Sequence, residues 1–267
     1  MDDRIKSLVS LLDDENQQSA SFAMAELLAY EGELESVLRE FQESDNVRLR
    51  RRIHQLESIL SLRKRRTNLS TQLLMPNEEL FKGLIDLHVQ WYDNDSRSNI
   101  IPFWRALVEN SKRHQIDSLE KLAYFMQKYG FRTSERGEII ADYFCIGIVM
   151  EELIGSSLNI CAIAQKMASM WNMNISIVQV AEEFCLMDGD GNILSPSRGW
   201  VILDRIEIPE PRACSTTMLL KYNLSMLFLC AVSSDSFRYI NTIGHVLGRV
   251  CGESNLSIST ERTISSL

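Results

Sequence analysis

The chain has 267 residues, 45% of them hydrophobic, enough to bury a substantial core in one large domain or two small ones. With 28 Lys and Arg against 36 Asp and Glu, the net charge of -8 excludes a general preference for polyanions, so any nucleic-acid contact must rest on a local patch. No run approaches the roughly 18 to 20 uncharged apolar residues of a membrane helix, and the start, MDDRIKSLVSLLDDENQQ, lacks the basic-then-apolar order of a signal peptide, which predicts a cytoplasmic protein with no membrane contact.

The first 68 residues carry an internal echo. SLLDDENQQSASFAMAELLA is followed about 30 residues later by REFQESDNVRLRRRIHQLES, with Asn16 and Asn46 in equivalent positions. Each copy has an apolar helix end, a polar turn and a second helix with apolar residues at helical spacing: Ala20, Ala23 and Leu27, then Leu49, Ile53, Leu56 and Leu60. The pattern resembles HEAT-type helical repeats, and two such copies need neighbours to cover their apolar faces. Two basic clusters, Arg48, Arg50, Arg51 and Arg52, then Arg63, Lys64, Arg65 and Arg66, lie on one predicted helix from Val47 to about Thr67. They are candidate contacts for phosphates or an acidic partner, set against the ordinary reading of a solvated helix face. No aromatic residue interleaves them, which argues against base stacking there.

Residues Leu69 to Met75 read as a linker, and Pro76 opens a helix whose apolar stripe is Leu80, Leu84, Leu87 and Trp91. Helices are then predicted over Ile101 to Lys112, Ser118 to Lys128 and Ser134 to Leu153, with Gly130 as a stop between the last two. A helix begins near Ser157. After it the pattern turns to short apolar segments, ISIVQV, EFCLM, ILS and GWVILDRIEI, which predict a small antiparallel sheet with DGDGN as a hairpin turn. DGDGN has too few acidic positions, and no following glutamate, for a calcium loop. The GSS of residues 155 to 157 lacks the glycine spacing and lysine of a phosphate loop. MLLKYNLSMLFLCAV and FRYINTIGHVLGRV predict an antiparallel helix pair over residues 213 to 251, and the Ser/Thr-rich residues 252 to 267 read as a loose tail. The six cysteines form no CxxC pair and most sit in apolar surroundings, as reduced core residues do. Met167, Met170 and Met173 are likewise read as core.

Gly155, Ser156 and Ser157, followed by the helix LNICAIAQKMASMWNM and the strand NISIVQV, resemble the transglutaminase and papain-like superfamily, and more specifically the bacterial invasion-regulator B family. In that family a transglutaminase-like core precedes tetratricopeptide-like helices with a segment like KYNLSMLFLCAVSSDSFRYI. The resemblance spans about Pro76 to Arg249 and implies a core over residues 76 to 212. It also implies a helix N-terminus that lowers a thiol's pKa, with a strand-borne imidazole and a carboxylate to activate it. In this chain the cysteine position reads Ser157, the histidine position Glu183 in EEFCLM, and the aspartate position Ser195 in ILSPSRG. A serine without an imidazole is a weak nucleophile, and Glu183 would serve as base only with a strongly raised pKa. Ser157 is therefore expected to cap its helix.

The fold class expected is α+β and mostly helical: HEAT-like helices, a transglutaminase-like core with a small sheet, and a C-terminal helix pair. The function expected is a non-catalytic scaffold or regulatory protein that binds another protein, without metal or cofactor. One rival is a hydrolase or acyltransferase using Ser157. Another is a nucleic-acid-binding module using Arg48 to Arg66.

Overall fold

The computed structural model describes residues 3–30, 34–73, 79–92, 95–135, 139–203 and 209–262. The fold is α+β and mostly helical, as its hydrophobic periodicities predict. Two compact units divide after Thr67.

The first unit is the sequence repeat made solid. Helices α1 (Asp3–Leu11) and α2 (Gln17–Ala29) form one hairpin, and α3 (Glu35–Arg39) and the start of α4 (Val47–Leu73) follow as the second copy. Asn16 Oδ1 accepts from the Gln18 amide at 2.9 Å, and Asn46 Oδ1 accepts from the amides of Arg48 and Leu49 at 3.0 and 3.2 Å. Each asparagine's own amide donates in turn to the side chain two residues earlier, Asp14 or Ser44. The two copies thus begin their second helices with the same device, a side-chain acceptor for amides that have no partner inside the helix. Ile5, Leu8, Val9 and Leu12 of the first helix and its turn, Ala23 and Leu27 of α2, and Ile53 and Leu56 of α4 close over one another as a separate apolar cluster.

Helix α4 continues through Leu73, where a linker from Leu69 was expected, and Leu69 is buried with the apolar residues of the second unit. Pro76, the expected helix opener, lies outside the described residues. Helix α5 (Leu80–Trp91) buries the predicted stripe of Leu80, Leu84, Leu87 and Trp91. Helices α6 (Arg97–Ser111) and α7 (Leu119–Tyr129) follow, the latter capped by Ser118, whose Oγ accepts from the Lys121 amide at 3.3 Å. Gly130 stops α7 with φ 107°, a left-handed value that glycine adopts without a Cβ clash.

The single helix expected over Ser134 to Leu153 does not form. Strand β1 (Arg132–Thr133) pairs in parallel with β2 (Ile154–Gly155), and between them lie a 3-10 turn (Ala141–Phe144) and the short helix α8 (Ile146–Glu152). The physical reason is a set of tertiary hydrogen bonds that bind this turn from outside. The Tyr143 carbonyl accepts from the Ser156 amide at 2.8 Å and from Asn159 Nδ2 at 3.1 Å. The Phe144 carbonyl accepts from Asn223 Nδ2 at 3.0 Å, and the Tyr92 hydroxyl donates to Asp142. Carbonyls satisfied in this way have no need of a helical ladder. Burial of Tyr92, together with its bond to Asp142, pushes its phenol well above the usual value.

Helix α9 (Ser157–Met170) is the centre of the second unit. Leu158, Ile160, Cys161, Ala162, Ile163, Ala164, Met167 and Ala168 are all buried, so it is apolar on nearly every side. Met170 is exposed, where a core position was expected. The sheet that follows is antiparallel with order β6-β5-β4-β3-β7, built from β3 (Ser176–Val180), β4 (Glu183–Met187), β5 (Ile193–Ser195), β6 (Val201–Leu203) and β7 (Arg212–Ala213). Alternation sorts its residues: Ile177, Phe184, Leu186 and Leu194 join the main core, while Val178, Val180, Cys185, Ile193 and Leu203 form a small cluster on the other face.

DGDGN is the β4–β5 turn. Its Asp188 Oδ1 accepts from the amides of Asp190 and Asn192 at 3.0 and 2.8 Å, so the turn organises itself around its own carboxylate. Helices α10 (Thr216–Ser233) and α11 (Phe237–Arg262) complete the chain. The last helix runs on to Arg262, where a loose tail from residue 252 was expected; residues 263–267 lie outside the described set. The helix pair shares the core of the second unit: Leu219, Leu220, Leu224 and Leu227 of α10 and Ile243, Val246 and Val250 of α11 belong to its apolar cluster. By length and composition α10 also meets the criterion for a membrane-crossing helix, with 18 residues of mean hydropathy 1.2, although the sequence predicts no such run.

Candidate functional site

Glycine opens the site. A Cβ on Gly155 would lie 2.5 Å from Val149 Cγ2, so only glycine lets β2 run this close to α8 before α9 begins. Ser156, not Ser157, then caps α9: its Oγ accepts from the Asn159 amide at 3.2 Å. The expectation that Ser157 is the cap is corrected by one residue. Ser157 is already in the helix, with its side chain turned toward the sheet.

There it meets Phe184. The Phe184 amide donates to Ser157 Oγ at 3.4 Å, and one turn further along α9 Cys161 Sγ donates to the Phe184 carbonyl at 3.4 Å. Spacing i and i+4 puts both side chains on one helix face. The two together hold both backbone polar groups of a single residue of β4. Strand β5 pairs with β4 only at Leu186 and Met187, so at Phe184 the helix supplies the partners that a neighbouring strand would otherwise provide. Burial pushes the Cys161 thiol well above its ordinary pKa. The one thiol of α9 is thus a buried hydrogen-bond donor, a poor source of thiolate.

A cleft of about 590 Å³ lies in front of Ser157. Its polar lining includes Ser134, Glu135, Ser156, Glu182, Glu183 and Ser197, and its apolar wall includes Phe144, Tyr222 and Met226. Ser157 and Glu183, two of the three positions singled out by sequence, are therefore brought to one cleft. The third is not. Ser195 is fully buried two residues along β5 from Ile193, on the sheet face away from the main core, and its Oγ accepts from the Arg198 amide at 3.3 Å.

No histidine lines the cleft. His54 pairs with Glu57 at 3.7 Å, and His88 is buried beside Asp95, with 2.8 Å between Nε2 and Oδ2. His114 packs among the rings of Tyr124 and Phe125, and His245 is exposed on α11. Sequence reasoning did not find Tyr222 and Met226 as cleft residues. The KYNLSM segment is signalled by its apolar run and by the family resemblance it carries, but nothing local shows that it lines this cleft.

The basic helix of the first unit has a largely internal use at its start. Arg52 Nη1 donates to the carbonyls of Leu12 and Asp14, Arg48 Nη1 to that of Asp13 and Arg50 Nη1 to that of Ser44. Arg48 also pairs with Glu15 at 3.5 Å. Leu12 to Asp14 follow the C-terminus of α1, where orphan carbonyls concentrate negative charge and favour cations. Arg51 is exposed, and Lys64 is exposed with an interaction of its own. The side chains of Arg63, Arg65 and Arg66 lie outside the described residues. Comparison of the chain with family models, curated proteins and solved structures finds no match.

Proposed function

We propose that the protein is a non-catalytic scaffold or regulatory protein that works by binding another protein, built on a transglutaminase-like arrangement whose chemistry has been lost. The order of elements supports the ancestry: a helix opening at a Gly-Ser-Ser turn, then antiparallel strands beside its N-terminus. The observation that carries the loss of chemistry is the grip of α9 on Phe184. Ser157 Oγ accepts from a backbone amide of the strand, and the neighbouring thiol of Cys161 is buried on the same strand residue. A nucleophilic hydroxyl needs a base within about 2.6–3.2 Å and an approach for substrate. The cleft offers carboxylates, with no imidazole among its lining residues. Free buried cysteines at four of six positions support a reducing compartment, and we place the protein in the cytosol on that ground.

The test is covalent labelling of the full chain by a fluorophosphonate probe and by activated acyl donors, comparing the natural protein with Ser157→Ala. The expected result is no difference between the two. Labelling that Ser157→Ala abolishes would return the protein to the hydrolases and acyltransferases.

A further inference from the structure

Helix α10 is mostly apolar, interrupted by Lys221, Asn223 and Ser225, and the core covers only part of its apolar surface. Met218, Tyr222, Leu229 and Val232 remain 40, 38, 46 and 47% exposed, and half-buried Met226 lies between them. Positions 218, 222, 226, 229 and 232 recur at three- and four-residue steps, which draws one stripe of about 21 Å along the helix. Tyr222 and Met226 belong at once to this stripe and to the wall of the Ser157 cleft, so stripe and cleft form one surface. Among the described residues, the charged side chains lining that cleft, Glu135, Glu182 and Glu183, are all acidic.

We propose that this surface docks a basic amphipathic helix of a partner protein. Its apolar positions at i, i+4 and i+7 would lie along the α10 stripe, with a flank of Lys or Arg over the glutamates. Charge selects this occupant over the other two that an apolar helix face admits. A second copy would bring the same glutamates and a net charge of -8 toward their own kind, and an anionic lipid surface would be repelled likewise. A basic helix gains Coulomb attraction on approach and lays its own apolar face on side chains that are now in water. The inference deepens the scaffold reading and rests on it.

The experiment is fluorescence anisotropy with the full chain and two labelled designed helices of identical leucine face, one carrying lysines on its flank and one carrying glutamates. The basic helix is expected to bind and the acidic one not. Leu229→Glu and Glu182→Lys, both at exposed positions, each weaken binding at least about tenfold while thermal unfolding stays unchanged. Equal binding of both helices, binding of neither, or indifference to both variants overturns the proposal. So does a natural protein that sediments as a dimer which Leu229→Glu dissociates, or that co-sediments with phosphatidylserine vesicles through Leu229. A photo-crosslinker placed in turn at Leu229 and at exposed Phe22 of α2 separates this inference from the reading beneath it. A protein partner captured only through Phe22 ends the docking surface and leaves the scaffold, whereas Ser157-dependent labelling ends the scaffold itself.

Discussion

The two units use polar side chains in opposite ways. In the first, Asn16, Asn46, Arg48 and Arg52 sit at helix ends near the surface and satisfy amides and carbonyls a few residues away or in the neighbouring turn. In the second, Asn159 and Asn223 are fully buried and reach across the fold to carbonyls of the turn at residues 141–144. The first arrangement repeats because it is local, and any chain segment with the same few residues can form it. The second holds one irregular segment in one place, and that segment forms the Phe144 wall of the cleft. A repeat tolerates loss of a cap as a small local cost, while a buried amide that loses its partner leaves a carbonyl without water or donor.

The comparison breaks or sharpens at four places, taken from the largest effect to the smallest. Leu84→Ala in the second core and Leu56→Ala in the first should each cost about 2–5 kcal/mol, since both side chains are fully buried. Trp91, Trp104, Trp171 and Trp200 all lie in the second unit, so tryptophan fluorescence during urea unfolding reads Leu84→Ala directly, and helical circular dichroism reads Leu56→Ala. A cost below about 1 kcal/mol for Leu56→Ala would mean that the first unit does not depend on its apolar cluster.

Next, Asn223→Ala should cost about 1–3 kcal/mol by orphaning the Phe144 carbonyl. The caps Asn16→Ala and Asn46→Ala should cost about 1 kcal/mol each and nearly the same as one another. If the caps cost more than the buried amide, the contrast between the units is reversed. Thiol accessibility comes third: Cys251 is exposed and should react first with a disulfide reagent, then half-buried Cys214. Cys145, Cys161, Cys185 and Cys230 are buried, with thiols pushed up by that burial, and should react only on unfolding. Early modification of Cys161 would contradict the grip on Phe184.

The smallest effect is in acid. Burial pushes the Asp95 carboxyl up, but hydrogen bonding with His88, the Ser96 amide and Asn99 outweighs it and holds Asp95 below the usual carboxylate value. A folded pKa below the unfolded one gives stability that is fully present above about 3.9 and is lost as pH falls through the folded value. Asp95→Asn should therefore flatten the loss of stability below about pH 4 relative to the natural protein. An identical acid profile in the variant would remove Asp95 from the account.

What could be read in the sequence was whatever depends on near neighbours. The 30-residue echo of Asn16 in Asn46, the apolar stripes of α2 and α5, the Gly130 stop and the DGDGN turn all follow from spacing within a few residues, because helix periodicity and turn chemistry are local. The meeting of Ser157 and Glu183 was implied by the resemblance to a transglutaminase-like core, and both do line one cleft. Only the tertiary structure decided the rest. It broke the expected helix at residues 134–153, because Tyr92, Asn159 and Asn223 compete for its polar groups from three distant elements. It turned Ser195 behind the sheet, gave Ser157 to the Phe184 amide, and divided the apolar surface of α10 between core and solvent. Those outcomes depend on partners tens of residues away, and a residue's own neighbourhood in the chain carries no record of them.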